Sequence, residues 1–208
     1  MPSGLFLGDA AARLRASVVA IVDEAHGSGP RRGASRGGHG AGFAWRGDDL
    51  FVTSAHVVSS RKAVVLTPDG RAVEGTVVGR DVDRDVALLH APEARVAAVT
   101  CGDPYALRPG ALVFAVGHPL GVRDAVSVGV FQAVRAVPLG FGMAERRPRR
   151  GRSPFIPWVQ ADVRLAPGNS GGPIADVEGN VIGVAAMIVS GLALAVPAPD
   201  LERLLSSA

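Results

Sequence analysis

The chain has 208 residues, 48% of them hydrophobic, a formal net charge of +3 and a single cysteine. That is enough apolar matter for one sizeable core or two small ones packed together; it excludes a disordered polymer, and one cysteine excludes an internal disulfide framework. No run approaches the ~20 apolar residues of a bilayer-crossing helix, and Leu5-Phe6-Leu7 is cut short by Asp9 with no basic residue before it, so neither a membrane span nor a secretion signal is expected.

In chain order, Asp9 to Ala16 reads as a short helix and Val18 to Val22 as a strand. A Gly/Arg-rich segment follows around Arg31 to Arg36, where His26 and His39 are expected to be solvated. Strands are then expected at Gly42 to Trp45, Leu50 to Thr53, Val64 to Thr67, Ala72 to Val78 and Val86 to His90, with Pro68-Asp69-Gly70 as a hairpin turn. Hydrophobic alternation lapses from Ala91 to Pro109, where Cys101 sits in a turn beside Gly102-Asp103-Pro104 and is read as inert. Further strands are expected at Leu112 to Val116, Ala125 to Val134, Ile156 to Gln160, Ile174 to Val177, Val181 to Val184 and Leu192 to Val196. A helix starting near Pro199 and Asp200 closes the chain. Short strands with a turn signal about every ten residues indicate an all-β fold of closed barrels or a sandwich, in two subdomains either side of the seam. The second basic segment, Arg146 to Arg152, has no interleaved aromatic residues, so both basic segments read as solvated loops and no nucleic-acid partner is expected.

Gly168-Asn169-Ser170-Gly171-Gly172-Pro173 carries the strongest chemical signal. A serine between glycines lets backbone N–H groups crowd around the point where a tetrahedral intermediate places its oxyanion, and Gly168 and Ser170, with Asn169 between them, are the candidates for that hole. The same hexapeptide also suits an ordinary polar turn. A nucleophilic Ser170 needs a base, itself held by a third group. His56 ends an apolar strand in Thr53-Ser54-Ala55-His56-Val57-Val58, a setting that fixes the ring and leaves one edge open, whereas His90 ends a strand and His118 lies in a Gly-His-Pro turn. Asp85 directly precedes the apolar run Val86-Ala87-Leu88-Leu89, where an unpaired carboxylate would be costly and an imidazole N–H would relieve it. The competing reading has Asp85 capping the strand and pairing with Arg84 or Arg80, a surface role that suits Asp81 and Asp83 better. No cluster has metal-ligand spacing and no Gly-rich loop runs from a strand into a helix, so no metal and no cofactor are expected.

Taken in order, these stretches resemble the HtrA/Deg-type, trypsin-like serine proteases. Gly40-Ala41-Gly42-Phe43 is similar to the family's Gly-Ser-Gly-Phe, Thr53 to Val58 to its Thr-Asn-x-His-Val-Val, and Asp85 to Leu89 to its Asp-Leu-Ala-Val-Leu. Ala115 to Gly121 resembles Ala-Ile-Gly-Asn-Pro-Phe-Gly, Gln160 to Pro173 the segment ending in Gly-Asn-Ser-Gly-Gly-Pro, and Ala195-Val196-Pro197 a stretch near the C-terminal strand. The resemblance implies two packed six-stranded Greek-key β-barrels, at about 15–93 and 110–198 with a linker at about 94–109 and a terminal helix at 199–206. It places the active site in the cleft, with His56 and Asp85 from the first barrel and Ser170 from the second.

The resemblance further implies a serine endopeptidase for unfolded or exposed polypeptides, of the protein quality-control and stress-response type. Leu165, with Leu192, Ala193 and Leu194, is expected to line an apolar specificity pocket; Arg164, six residues before Ser170, either sits at its base and selects acidic residues or points outward. The chain ends about a dozen residues after its last expected strand, so a protease domain without a PDZ domain is expected. The loop from Pro138 to Pro154 stands where relatives sense activating ligands. A homotrimer would rest on Phe6. The visible sequence points to the cytoplasm and the resemblance to the cell envelope. Two other readings stay open: a latent or chaperone-like polypeptide-binding module, inactive if the Gly168–Asn169 peptide is flipped, and a basic adaptor for acidic partners.

Overall fold

A computed structural model describes residues 7–24, 39–138 and 155–205; His26, the Arg31 to Arg36 and Arg146 to Arg152 segments and Phe6 lie outside them. A helix α1 (Leu7–Arg15) precedes β1 (Val18–Asp23), β2 (His39–Arg46), β3 (Leu50–Thr53), β4 (Lys62–Leu66), β5 (Ala72–Asp81) and β6 (Val86–His90). After the connecting segment come β7 (Leu112–Gly117), β8 (Ala125–Pro138), β9 (Phe155–Asp162), β10 (Pro173–Asp176), β11 (Val181–Val189), β12 (Leu192–Pro197) and a helix α2 (Ala198–Leu205). The first six strands close in the order β1-β2-β3-β6-β5-β4 and the second six in the order β10-β11-β12-β9-β8-β7, giving two antiparallel barrels.

Strand periodicity explains why so many of these strands read as unbroken apolar runs. Successive side chains point to opposite faces, and here both faces are dry. On β6, Ala87 and Leu89 face the interior of the first barrel while Val86 and Leu88 face a core shared with the second. On β7, Val113 and Ala115 fill the second barrel and Phe114 and Val116 join the shared core; Ala195 and Val196 on β12 divide the same way. The shared core takes Phe43 and Trp45 from the first barrel, Trp158 and Leu194 from the second, Ala10 and Leu14 from α1 and Leu201 from α2. Each of these large side chains contributes about 1.5–3 kcal/mol by leaving water, so separating the barrels would expose a core as large as either interior.

The strands extend beyond the expected bounds at several ends. β11 runs on through Ala185 to Val189 rather than stopping at Val184, and β8 continues to Pro138 with its register shifting between Phe131 and Ala133. Gly129 marks the closest approach of β8 to β9: a Cβ there would lie 1.8 Å from the Asp162 carbonyl oxygen, which is backbone and cannot swing aside. Gly8, by contrast, is exposed in α1 with nothing within 4 Å. Gly129→Ala is expected to destabilise the fold by about 3 kcal/mol or more through overpacking, whereas Gly8→Ala should stabilise it by about 0.5 kcal/mol through helix propensity. Urea unfolding midpoints of the two variants check both signs.

Candidate active site

The segment after β3 carries His56. Ala55, Val57 and Val58 are buried in the first barrel's core, so the one exposed residue among them is the histidine, whose side chain is 52% accessible. Backbone clamps fix this segment from both sides. The buried Asp23 carboxylate accepts the N–H groups of Ser59 and Ser60 at 2.7 and 3.2 Å and the Ser59 hydroxyl. Arg80 donates to the carbonyls of Val58 and Ser60 at 2.6 and 3.2 Å. Burial alone would raise the Asp23 carboxyl, but the hydrogen bonds from Ser59 and Ser60 prevail and hold it well below the usual carboxylate range. Sequence reading passed over Asp23; an acid ending an apolar strand was the available signal.

Asp85 sits at a positive φ of 57° just before β6 and is 3% exposed. That backbone twist turns its carboxylate back onto the preceding loop. One oxygen accepts the His56 N–H at 2.9 Å, the other lies 2.6 Å from His56 Nδ1, and the Asp85 carbonyl accepts the Ala55 N–H at 3.1 Å. An ionised carboxylate only accepts, so Nδ1 carries the proton and the neutral ring presents a bare Nε2. The hydrogen bond with Asp85 is the largest influence on the ring; it raises the His56 pKa above its ordinary value despite the opposing effect of burial. Arg84 pairs with Asp81 at 2.9 Å instead of with Asp85, and Arg80 is engaged at Val58 and Ser60.

Ser170 is brought to the same cleft by backbone contacts across the barrels. Its carbonyl accepts the Ala41 N–H of β2 at 2.8 Å, and a Cβ on Gly40 would come within 2.7 Å of that carbonyl oxygen. Gly171 N–H donates to Ala185 O at 2.7 Å, and the buried Ser54 hydroxyl donates to the same oxygen at 3.1 Å. Gly168 has φ +105°, and a side chain there would strike the His118 carbonyl at 2.3 Å, so only glycine fits the turn. The Pro167 carbonyl accepts Leu120 N–H at 3.0 Å and the Gly168 carbonyl accepts His118 N–H at 3.2 Å. A trans peptide points its N–H opposite its C=O, so the Gly168 N–H is turned the other way. Among the described residues neither the Gly168 nor the Ser170 N–H donates to a protein group, and no hydrogen bond is made by the Ser170 hydroxyl. Asn169, grouped with those donors on sequence, engages its N–H with Ala166 O at 3.0 Å, which leaves Gly168 and Ser170 as the available pair.

A cavity of about 220 Å³ opens beside Ser170, lined by Leu165, Ala166, Pro167, Asn169, Ser170 and Ala185 to Ile188. Leu165 is part of this lining, whereas Leu192, Ala193 and Leu194 are not. Ala193 and Leu194 are buried in the barrel cores, and the neighbouring strand β11, whose extension past Val184 the sequence reading stopped short of, supplies the wall. Arg164 is exposed and outside the lining. His118 is buried in the β7–β8 turn, with Nδ1 engaged by the Asp124 N–H; His90 faces Asp49 at 3.3 Å.

The family described as the trypsin-like peptidase domain matches residues 40–184. A Synechocystis sp. protein named as a serine protease, HhoB, is 35% identical over 77% of this chain and 38% of its own length. A Halomonas elongata protein named as a DegP-like periplasmic serine endoprotease is 33% identical over 76% of this chain and 32% of its own. The chain thus spans about a third of the length of the curated relatives it matches. The structure of the HtrA-type protease AlgW with a decapeptide superimposes with a TM-score of 0.74 at 26% identity, covering 96% of this chain and 66% of that one. The active form of the Mycobacterium tuberculosis protease Rv3671c has the same fold, with a TM-score of 0.79 at 24% identity over 98% of this chain and 86% of that one. Two closed barrels and the matched stretch between Gly40 and Val184 agree: the chain belongs to the trypsin-like peptidase family, and it is similar to proteins named as HtrA- and DegP-type serine proteases.

Proposed function

We propose that this chain hydrolyses peptide bonds in unfolded or exposed polypeptides through an acyl-enzyme formed on Ser170. The observation that carries the reading is the 2.6 Å contact between His56 Nδ1 and the buried Asp85 carboxylate, because it fixes the tautomer that leaves Nε2 free to take a proton. The Ser170 Oγ attacks the substrate carbonyl carbon while its proton passes to His56 Nε2, and Asp85 stabilises the imidazolium. The former carbonyl oxygen takes the negative charge against the N–H groups of Gly168 and Ser170. Collapse breaks the C–N bond, with the proton on His56 going to the leaving amine, and water repeats the sequence to release the acid. The Ser170–His56 hydrogen bond forms as substrate closes the cleft, as catalytic contacts loose in a free enzyme commonly do.

The fixed Pro167 and Gly168 carbonyls support an oxyanion hole formed at rest and weigh against a latent binding module. The cavity wall of Leu165, Ala185, Ala186, Met187 and Ile188 supports preference for Val, Ala or Leu before the cut. By analogy with relatives named periplasmic, an envelope location and a quality-control role are proposed with it; no helix among the described residues is long and apolar enough to cross a membrane.

Ser170→Ala is expected to abolish casein cleavage, lowering kcat by about 10⁶-fold with the fold intact by circular dichroism. His56 must be neutral to act as base, and its pKa is raised above the ordinary 6.5, so activity should fall as pH drops through a value above 6.5. Asp85→Asn removes the cause of the rise: the acid limb should move to lower pH and kcat should drop by about 10⁴-fold, measurable in a pH profile of peptide hydrolysis. Arg164→Ala should leave the aliphatic preference intact in a mass-spectrometric cleavage map; loss of a preference for acidic residues in that variant would place Arg164 in the pocket after all.

A further inference from the structure

The β7–β8 turn, residues 118–124, holds the oxyanion loop through the His118 and Leu120 amides that engage the Gly168 and Pro167 carbonyls. The turn is strained. Leu120 and Asp124 are non-glycine residues at φ 52° and 57°, with Gly121 at 83° between them, and backbone in that region persists only where surroundings impose it. Three constraints surround this one. Arg123 donates to Thr67 O at 3.1 Å in the β4–β5 turn, Arg15 at the end of α1 lies 3.7 Å from the Asp124 carboxylate, and His118 Nδ1 accepts the Asp124 N–H at 3.1 Å. The last is the side-chain contact that closes the turn on itself, beside the backbone bond from Val122 N–H to Pro119 O at 2.8 Å, and its imidazole is 8% exposed.

That hydrogen bond dictates the ring's chemistry. An accepting Nδ1 has no proton, so the neutral ring carries its hydrogen on Nε2. Nε2 is buried and meets no hydrogen-bond partner among the described residues, and the Val19 backbone of β1 lies beside the ring. A second proton would set Nδ1–H against the Asp124 N–H, donor against donor, and place a charge in a dry site. Of the charged groups facing the ring, the Asp124 carboxylate, 3.8 Å from Nδ1, would attract that charge, Arg123 would repel it, and Arg15 offsets Asp124 from α1. Burial is the largest influence and keeps the ring's pKa below its ordinary value.

We propose that His118 is a positioning residue for the oxyanion hole: its uncharged ring, accepting the Asp124 amide, holds the 118–124 turn in the arrangement that keeps the Pro167 and Gly168 carbonyls turned outward. Protonation releases the Asp124 amide and draws its carboxylate onto Nδ1, giving the turn a second arrangement in which the hole is no longer held. The inference rests on the reading of Ser170 as the nucleophile.

Its test combines a structural and a kinetic measurement. In ¹⁵N-labelled Ser170→Ala protein, the Leu120 and Gly168 amides should shift with the same midpoint as the His118 ring, below 6.5, and the shift should vanish in a His118→Asn variant, which accepts the Asp124 N–H without titrating. In the active protein at about pH 8, His118→Leu should lower kcat by roughly 10–100-fold with KM within about two-fold, and His118→Asn should recover most of the loss. Amides indifferent to the His118 titration, or a folded His118→Leu with wild-type kcat, would overturn the proposal. Failure of the underlying reading looks different: cleavage equal in wild type and Ser170→Ala would overturn the role of Ser170, and with it the catalytic half of the proposal, even with amides that follow His118.

Discussion

The carbonyl oxygen of Ala185 accepts two hydrogen bonds, one from the Ser54 hydroxyl of the first barrel and one from the Gly171 amide beside Ser170. Together with the Ala41 N–H on the Ser170 carbonyl, it stitches the serine loop to the histidine loop across the seam between two closed sheets. The half-site on each barrel is rigid because its barrel is closed and well packed, but nothing within one barrel sets its position relative to the other. That registration comes from the shared apolar core, which is non-directional, and from these few backbone bonds, which are directional. Gly40 and Gly171 are small because the two backbones meet there: a Cβ on either would lie within 3 Å of atoms of the opposite barrel.

The buried carboxylates make sense in the same terms. Asp23 and Asp85 are almost wholly out of water, and an isolated charge so placed would be expelled or neutralised. Each is instead surrounded by donors from the loop that carries His56: Ser59 and Ser60 for Asp23, the His56 amide and ring for Asp85. Two acids therefore define one loop conformation from its two ends. Asp23 holds it through backbone and hydroxyl groups, whereas Asp85 meets a titratable ring, so only the second contact bears on proton transfer.

Much of this was legible in the sequence. The twelve strands, their division into two groups and the pairing of Asp85 with His56 follow from alternation, turn residues and the cost of an acid at the start of an apolar run. What escaped was whatever depends on which strand passes the serine. Ala185 to Ile188 lacks the strong β-branched rhythm of Val181 to Val184 before it, so β11 was read as shorter than it is, and the cavity wall was assigned to β12, one strand too far. Asn169 was grouped with the oxyanion donors because sequence order does not reveal that its amide closes a turn on Ala166. His118 read as an ordinary turn residue, since neither its burial nor its tautomer has a local sequence signal.

In the proposed function the seam assembles one activated serine. Treatment with a fluorophosphonate tests it directly, because a serine with a base and an oxyanion hole forms an Oγ–P bond, releases fluoride and passes its proton to the histidine, whereas an ordinary surface serine does not react. Intact-mass and peptide mass spectrometry should find one adduct per chain, on Ser170. An adduct on another residue, or no adduct under conditions that label a trypsin control, would contradict the account.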